Sequence, residues 1–185
     1  MSDLGAALLQ IARNAIGAHF GIPPAAGPDQ AALPNLQEPG ATFVTLMQDG
    51  KLRGCIGTLL PCQPLADDVR ENACNAAFGD PRFMPLTREE WARTKLEVSL
   101  LTPPQPMRFE DEADALAQLR PGIDGVVFRA GPRRSTFLPQ VWEQLPTPTE
   151  FLAHLKRKAG LPADYWGPEV QLERYEVRKW KEPSP

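Results

Sequence analysis

Proline is the residue that most limits what this chain can fold into. It occupies 21 of 185 positions, roughly twice the usual ~5% share. Each proline fixes a backbone dihedral and removes an amide donor, so many fixed turns and short elements are expected rather than long uninterrupted helices. Ahead of the first proline, Leu4, Leu8, Ile11, Ala12, Ala15 and Ile16 recur at helical spacing and predict an amphipathic helix over 3–19. A proline-rich linker spans 21–40, with Pro23, Pro24, Pro28, Pro34 and Pro39 and little apolar periodicity.

Beyond the linker the pattern changes to strands. Thr42–Gln48 is followed by the two-residue turn Asp49-Gly50, and Lys51–Leu60 runs back, which predicts a β-hairpin. Pro64–Phe78 carries Leu65, Val69, Ala73 and Ala76 on one helical face. Thr87 and Glu90 form a capping box that starts a short helix through Trp91. Lys95–Thr102 reads as a strand with Leu96, Val98 and Leu100 facing one way.

The second half runs in the same order. A helix over 110–119 leads to strands at about 123–130 and 134–138, helical segments at 139–145 and 148–159, and a final long strand over 170–180. The fold class is therefore α+β, largely antiparallel, with two duplicated strand–helix units, about 42–102 and 110–180, in a single domain.

A net charge of −3 gives no general attraction to phosphate backbones or anionic lipid, so nucleic-acid binding is disfavoured. No stretch approaches the ~20 apolar residues that cross a bilayer. Three cysteines without CxxC spacing and only two histidines argue against a disulfide framework and a zinc site. No metal and no cofactor are expected, and the reading is a reduced, cytoplasmic protein.

Candidate chemistry concentrates in Leu52-Arg53-Gly54-Cys55-Ile56-Gly57-Thr58. Two glycines within a strand mark a bulge or a close approach to the backbone. Plain alternation puts Arg53, Cys55 and Gly57 on one face and Leu52, Ile56 and Leu60 on the other, which is the expected core face. A neighbouring arginine favours thiolate, the form a reactive cysteine needs. A free cysteine is also commonly a small buried packing residue, and both readings of Cys55 stand. Glu97 and Ser99 share a face of their strand. Glu97 is then a base or, as the more ordinary role, the ion-pair partner of Arg53. Asp80 and Arg82, in Asp80-Pro81-Arg82-Phe83, serve to cap backbone groups or to bind an anion. Arg129, Arg133 and Arg134, the run Lys156–Lys158, and His154 read as solvated helix and turn positions.

These motifs resemble the AMMECR domain family. The resemblance rests on Leu52–Thr58, on Asp80–Phe83 with Pro85-Leu86-Thr87, and on Leu96-Glu97-Val98-Ser99. Arg120–Gly125, Thr136–Trp142 and Leu155–Gly160 are similar to its prokaryotic branch, the A component of the AmmeMemoRadiSam system. The resemblance implies a barrel-like sheet with flanking helices. It also implies two partners, a Memo-like protein and a radical S-adenosylmethionine protein, but no settled reaction. Family-motif positions are Arg53, Gly54, Cys55, Gly57, Asp80, Arg82, Glu97 and Ser99.

Two functions follow as expectations. One is an enzyme or enzyme component acting on a small-molecule substrate. Cys55, Arg53 and Glu97 are then catalytic, and Gly54, Gly57, Asp80, Arg82 and Ser99 line the ligand cleft. The other is a non-catalytic docking or scaffold module for the two partners.

Overall fold

A computed structural model of the protein describes residues 3–28 and 33–183, so 29–32 of the linker lie outside the described residues. The chain divides into two compact units. One runs up to Leu101 and takes in the segment from Arg178 onward, and the other is Thr102–Val177.

The first unit begins with helix α1 (Asp3–His19), the full length that its apolar spacing predicts. Strands β1 (Pro39–Gln48) and β2 (Lys51–Gly57) form the expected hairpin. Asp49 and Gly50 both take positive φ, 50° and 75°, as a primed turn requires. The short β3 (Gln63–Pro64) pairs with the start of β1 and leads into α2 (Leu65–Phe78). The capping box of Thr87 and Glu90 starts α3 (Arg88–Trp91), and β4 (Lys95–Leu101) follows.

In the second unit, β5 (Gln105–Pro106), α4 (Glu112–Gln118), β6 (Gly125–Ala130) and β7 (Arg133–Phe137) precede α5 (Pro148–Lys158). That last helix is opened by the Thr147 cap and a proline in its first turn. The predicted long C-terminal strand is two strands, β8 (Val170–Tyr175) and β9 (Val177–Lys181), which belong to different sheets. The break falls at Glu176. Its backbone N–H donates to Thr102 Oγ1 at 2.8 Å and its carbonyl accepts from the Thr102 N–H at 2.9 Å, which takes that peptide out of either ladder.

The barrel-like sheet expected from the family resemblance is replaced by two open antiparallel sheets. Their orders are β2-β1-β4-β9, with β3 beside β1, and β5-β8-β6-β7. Both retain edge strands, which a closed barrel lacks. The orders β2-β1-β4 and β7-β6-β8 correspond: in each, a later strand lies beside the first strand of a hairpin. α1 and α2 supply Leu8, Ile11, Ile16, Val69 and Ala73 to the core under Val44, Leu46, Leu96 and Val98 of the first sheet. In the second unit Phe151, Leu152 and Leu155 of α5 cover Val126, Phe128 and Leu172, and Trp142 stacks on Phe151 at 3.8 Å. Among the described residues, no helix is long and apolar enough to cross a membrane.

Candidate functional site

The hairpin register places the chemistry. From the turn, Gln48 faces Lys51 and Met47 faces Leu52, but Leu46 then faces Gly54 and Thr45 faces Cys55. Arg53 is therefore an extra residue in β2, a β-bulge, and a bulge re-aims its side chain. This corrects plain alternation. Leu52 shares the Met47 side and is 43% exposed, Leu60 is exposed as well, and of the expected core set only Ile56 packs against the core.

Arg53 reaches to α3 and to the loop before it, where its hydrogen bonds go to Glu90 and Met84. Its Nε and Nη2 donate to the two carboxylate oxygens of Glu90, each at 3.0 Å, and Nη2 also donates to the Met84 carbonyl at 2.9 Å. The guanidinium bonding, with help from the Thr87 N–H, pulls the Glu90 carboxyl down to about 2. Arg53 Nη1 is buried and has no hydrogen-bond partner among the described residues.

Cys55 is half-buried on the sheet face opposite the helices. Its Sγ lies 3.2 Å from Thr45 Oγ1, its N–H donates to Asp80 Oδ2 at 2.9 Å, and its carbonyl accepts from Arg82 Nη2 at 3.2 Å. Because β2 is an edge strand, those two peptide groups would otherwise be open. Asp80 and Arg82 satisfy both, in the manner of a neighbouring strand. The buried Asp80 also accepts from Arg82 Nε at 3.0 Å, Nη2 at 2.7 Å and the backbone N–H at 3.1 Å. Those bonds, Arg82 first and the Cys55 amide next, hold its carboxyl well below the usual carboxylate range although burial opposes them. Arg82 is thus a cation bonded to the Cys55 backbone, and the ring of Phe83 lies 5.5 Å from its guanidinium carbon and 5.7 Å from that of Arg53.

Cross-strand rows show which residues the fold brings together. Thr45 faces Cys55 on one side and Glu97 on the other, and Phe43 likewise stands between Gly57 and Ser99. Cys55, Thr45 and Glu97 therefore share a face, but two strand spacings of about 4.8 Å separate the thiol strand from Glu97. Glu97 pairs with Lys181 at 2.8 Å and Lys179 at 3.7 Å on β9, not with Arg53. Ser99 is buried.

The two glycines make room for protein, not for a ligand beside the sulfur. A Cβ on Gly54 would lie 2.2 Å from the Ala76 carbonyl oxygen of α2, and one on Gly57 would lie 2.2 Å from the Phe43 ring.

Several participants escape the sequence reading. Thr45 is one, because its pairing with Cys55 depends on the bulge. Glu90 is recognisable only as a helix cap. A buried cluster at the far end of the hairpin is another: Asp68 Oδ2 accepts from Thr42 N and Oγ1 at 2.8 and 2.7 Å, and Asn72 Nδ2 donates to it at 3.1 Å. Thr58 Oγ1 donates to the other oxygen, Oδ1, at 2.5 Å. Asp68 and Asn72, polar at i and i+4 on the helix face that also carries Leu65 and Val69, are the signal that was there to find.

Known proteins match this chain in overall sequence and in fold. The AMMECR1 family model matches residues 9–180. A protein of Methanothermobacter thermautotrophicus is 40% identical, over 97% of this chain and 95% of its own length. One of Thermotoga maritima is 42% identical over 75% of this chain and 76% of its own. The crystal structure of an uncharacterised protein from Pyrococcus horikoshii superposes with a TM-score of 0.79 at 32% identity, covering all of this chain and 94% of the other. Matched along nearly its whole length and in its fold, this chain belongs to the AMMECR1 family.

Proposed function

We propose that the protein is a cytoplasmic enzyme or enzyme component that handles a small molecule at Cys55, in concert with a Memo-like protein and a radical S-adenosylmethionine protein. The reading rests on one observation: the half-buried Cys55 thiol meets Thr45 Oγ1 at 3.2 Å while Asp80 and Arg82 hold its peptide on both sides. A thiol fixed by its own backbone and by a hydroxyl is preorganised for attack on an electrophile. Arg82 sets a positive charge against the Cys55 carbonyl, with Asp80 as the group that positions it. Thr45 orients the sulfur, and Glu97, tied to two lysines, sets the charge of the face from a distance.

Competitive alkylation mapped by mass spectrometry tests this reading. Cys55 is expected to react faster than the exposed Cys62 below neutral pH, and the Arg82→Gln variant slows Cys55 severalfold without changing Cys62. Cys74, whose thiol is pushed up by burial, reacts slowest. Cys55 as the slowest of the three makes it a packing residue and ends the enzymatic reading.

A docking module for the same partners is the second reading. Met84 favours it: the residue is 81% exposed on a loop that Arg53 pins through the Met84 carbonyl. Exposed methionines on a fixed support suit protein contact. Co-expression with the Memo-like protein decides it, since docking requires co-purification that Met84→Glu abolishes.

A further inference from the structure

The sheet of the Thr102–Val177 unit ends on an open edge. Its last strand, β7, pairs with β6 alone among the described residues. The loop between them is two residues, Gly131 and Pro132, with Gly131 at a φ of 57°. Ala130 and Arg133 therefore exchange main-chain hydrogen bonds, and the pairs alternate from there. Arg133, Ser135 and Phe137 turn their N–H and C=O groups toward β6, while Arg134 and Thr136 turn theirs outward. Two contacts agree with that register. On β8 the Leu172 carbonyl, directed away from β6, accepts the Met107 N–H at 2.8 Å. Lys158 Nζ, from the end of α5, donates to the Thr136 carbonyl that the ladder leaves open, at 2.9 Å. Among the described residues nothing bonds the Thr136 N–H or either main-chain group of Arg134.

This edge is positive in a chain whose net charge is −3. Arg133, Arg134 and Lys158 are exposed, and none of them pairs with a carboxylate among the described residues. Arg129 stands opposite Arg134 in the β6–β7 register, where like charges repel. Glu173 neutralises Arg129 at 3.2 Å and leaves Arg134 unmatched. The Arg133 guanidinium occupies the space that a side chain on Gly160 would fill, so it joins Lys158 at the end of α5. Cations on an edge strand keep other edges away. A second copy of β7 would bring these arginines against their own kind. An acidic strand meets the opposite condition, since the same charges attract it and the open main-chain groups supply the pairing.

We propose that the β7 edge docks an extended acidic segment of a partner protein, which adds to the sheet as a further strand. The Arg134 N–H and C=O and the Thr136 N–H pair with its main chain, and Arg133, Arg134 and Lys158 hold its carboxylates. Lys158 has three donors, enough to keep the Thr136 carbonyl while it meets a carboxylate. The edge shares no residue with the Cys55 face, so it stands or falls apart from the enzymatic reading.

The test is an NMR titration of the full chain with a short capped peptide of alternating glutamate and threonine. One control peptide has lysine in place of glutamate. The other carries a methyl group on every backbone nitrogen, which keeps the charge and removes the donors. The acidic peptide should shift the Arg134 and Thr136 amides saturably and slow their exchange with deuterium. Both controls should bind roughly tenfold more weakly. Arg134→Glu should weaken the acidic peptide about fivefold, the scale of surface charge pairs, with the remaining amide shifts unchanged. The proposal is overturned if the methylated peptide binds as well as its parent, which reduces the edge to a patch of charge. It is overturned equally if the lysine peptide matches the acidic one, if Arg134→Glu changes nothing, or if neither amide responds. Shifts of the same amides that grow with protein concentration alone would assign the edge to a second copy and overturn it too.

Discussion

A methyl group on Gly54 would meet the Ala76 carbonyl oxygen at 2.2 Å, and that oxygen belongs to the backbone of α2 and cannot rotate away. Gly54→Ala must therefore push helix and strand apart at the point where Cys55 begins. The expected loss is about 1–3 kcal/mol, the usual range for overpacking a dense core, read as a lower urea midpoint with an unchanged slope. An unchanged midpoint would mean that α2 yields freely at Ala76. Two glycines in this strand signal close approach from the amino-acid sequence alone. Which partner approaches each one, helix backbone or aromatic ring, follows from packing and has no local signature.

At the level of elements, the loop from Asp80 to Thr87 is held to β2 by Asp80 and Arg82, an ion pair that grips the Cys55 backbone, and by Arg53, which reaches the Met84 carbonyl and pairs with Glu90 just beyond the loop. Both carboxyls have folded-state values below their ordinary ones: Glu90 about 2, against ~4.3 for a free glutamate, and Asp80 lowered by Arg82 and the Cys55 amide. A lowered folded value means that the unfolded chain binds protons first as pH falls. The stabilisation from these pairs is thus fully present above about pH 5 and is lost as the pH drops through the ordinary carboxylate range toward pH 2. Glu90→Gln should cost about 2 kcal/mol at neutral pH, as expected for a charge-assisted hydrogen-bonded pair, and should flatten the fall in stability between pH 5 and 2. Thermal melts across that range check both parts. A variant that keeps the wild-type slope would show that the pair contributes no pH linkage. The capping box was readable from Thr87 and Glu90, but the second use of Glu90, gripping Arg53, was not.

For the whole molecule, the two cores draw on different residues, one around Trp91 and one around Trp142 and Phe151. Phe151 is fully buried and stacks on Trp142. Phe151→Ala should remove about 3–5 kcal/mol of core packing. Denaturant unfolding followed at Trp142 should then shift to lower midpoint by more than unfolding followed at Trp91. Single-tryptophan variants provide the readout, and equal shifts at both probes would show that the two cores unfold as one.

What local order in the chain decides, it decides well. The span of α1, the Asp49-Gly50 hairpin, the caps of α3 and α5 and the alternation of Leu96, Val98 and Leu100 all rest on neighbours within a few residues, where spacing and turn chemistry suffice. The placing of Cys55 rests on one bulged residue. Continuing the turn register without it would set Cys55 opposite Val44, on the core side. With Arg53 extra, Cys55 faces Thr45 and the open side. The two glycines signal that a bulge or a close approach is at hand, but no local pattern fixes the extra residue as Arg53, because its side chain is received by the distant Glu90 and Met84 groups. The same holds for Glu97, whose partners on β9 lie more than eighty residues along the chain, and for the division of the last strand between two sheets. Periodicity sets which faces are apolar, whereas long-range pairing chooses which polar groups meet.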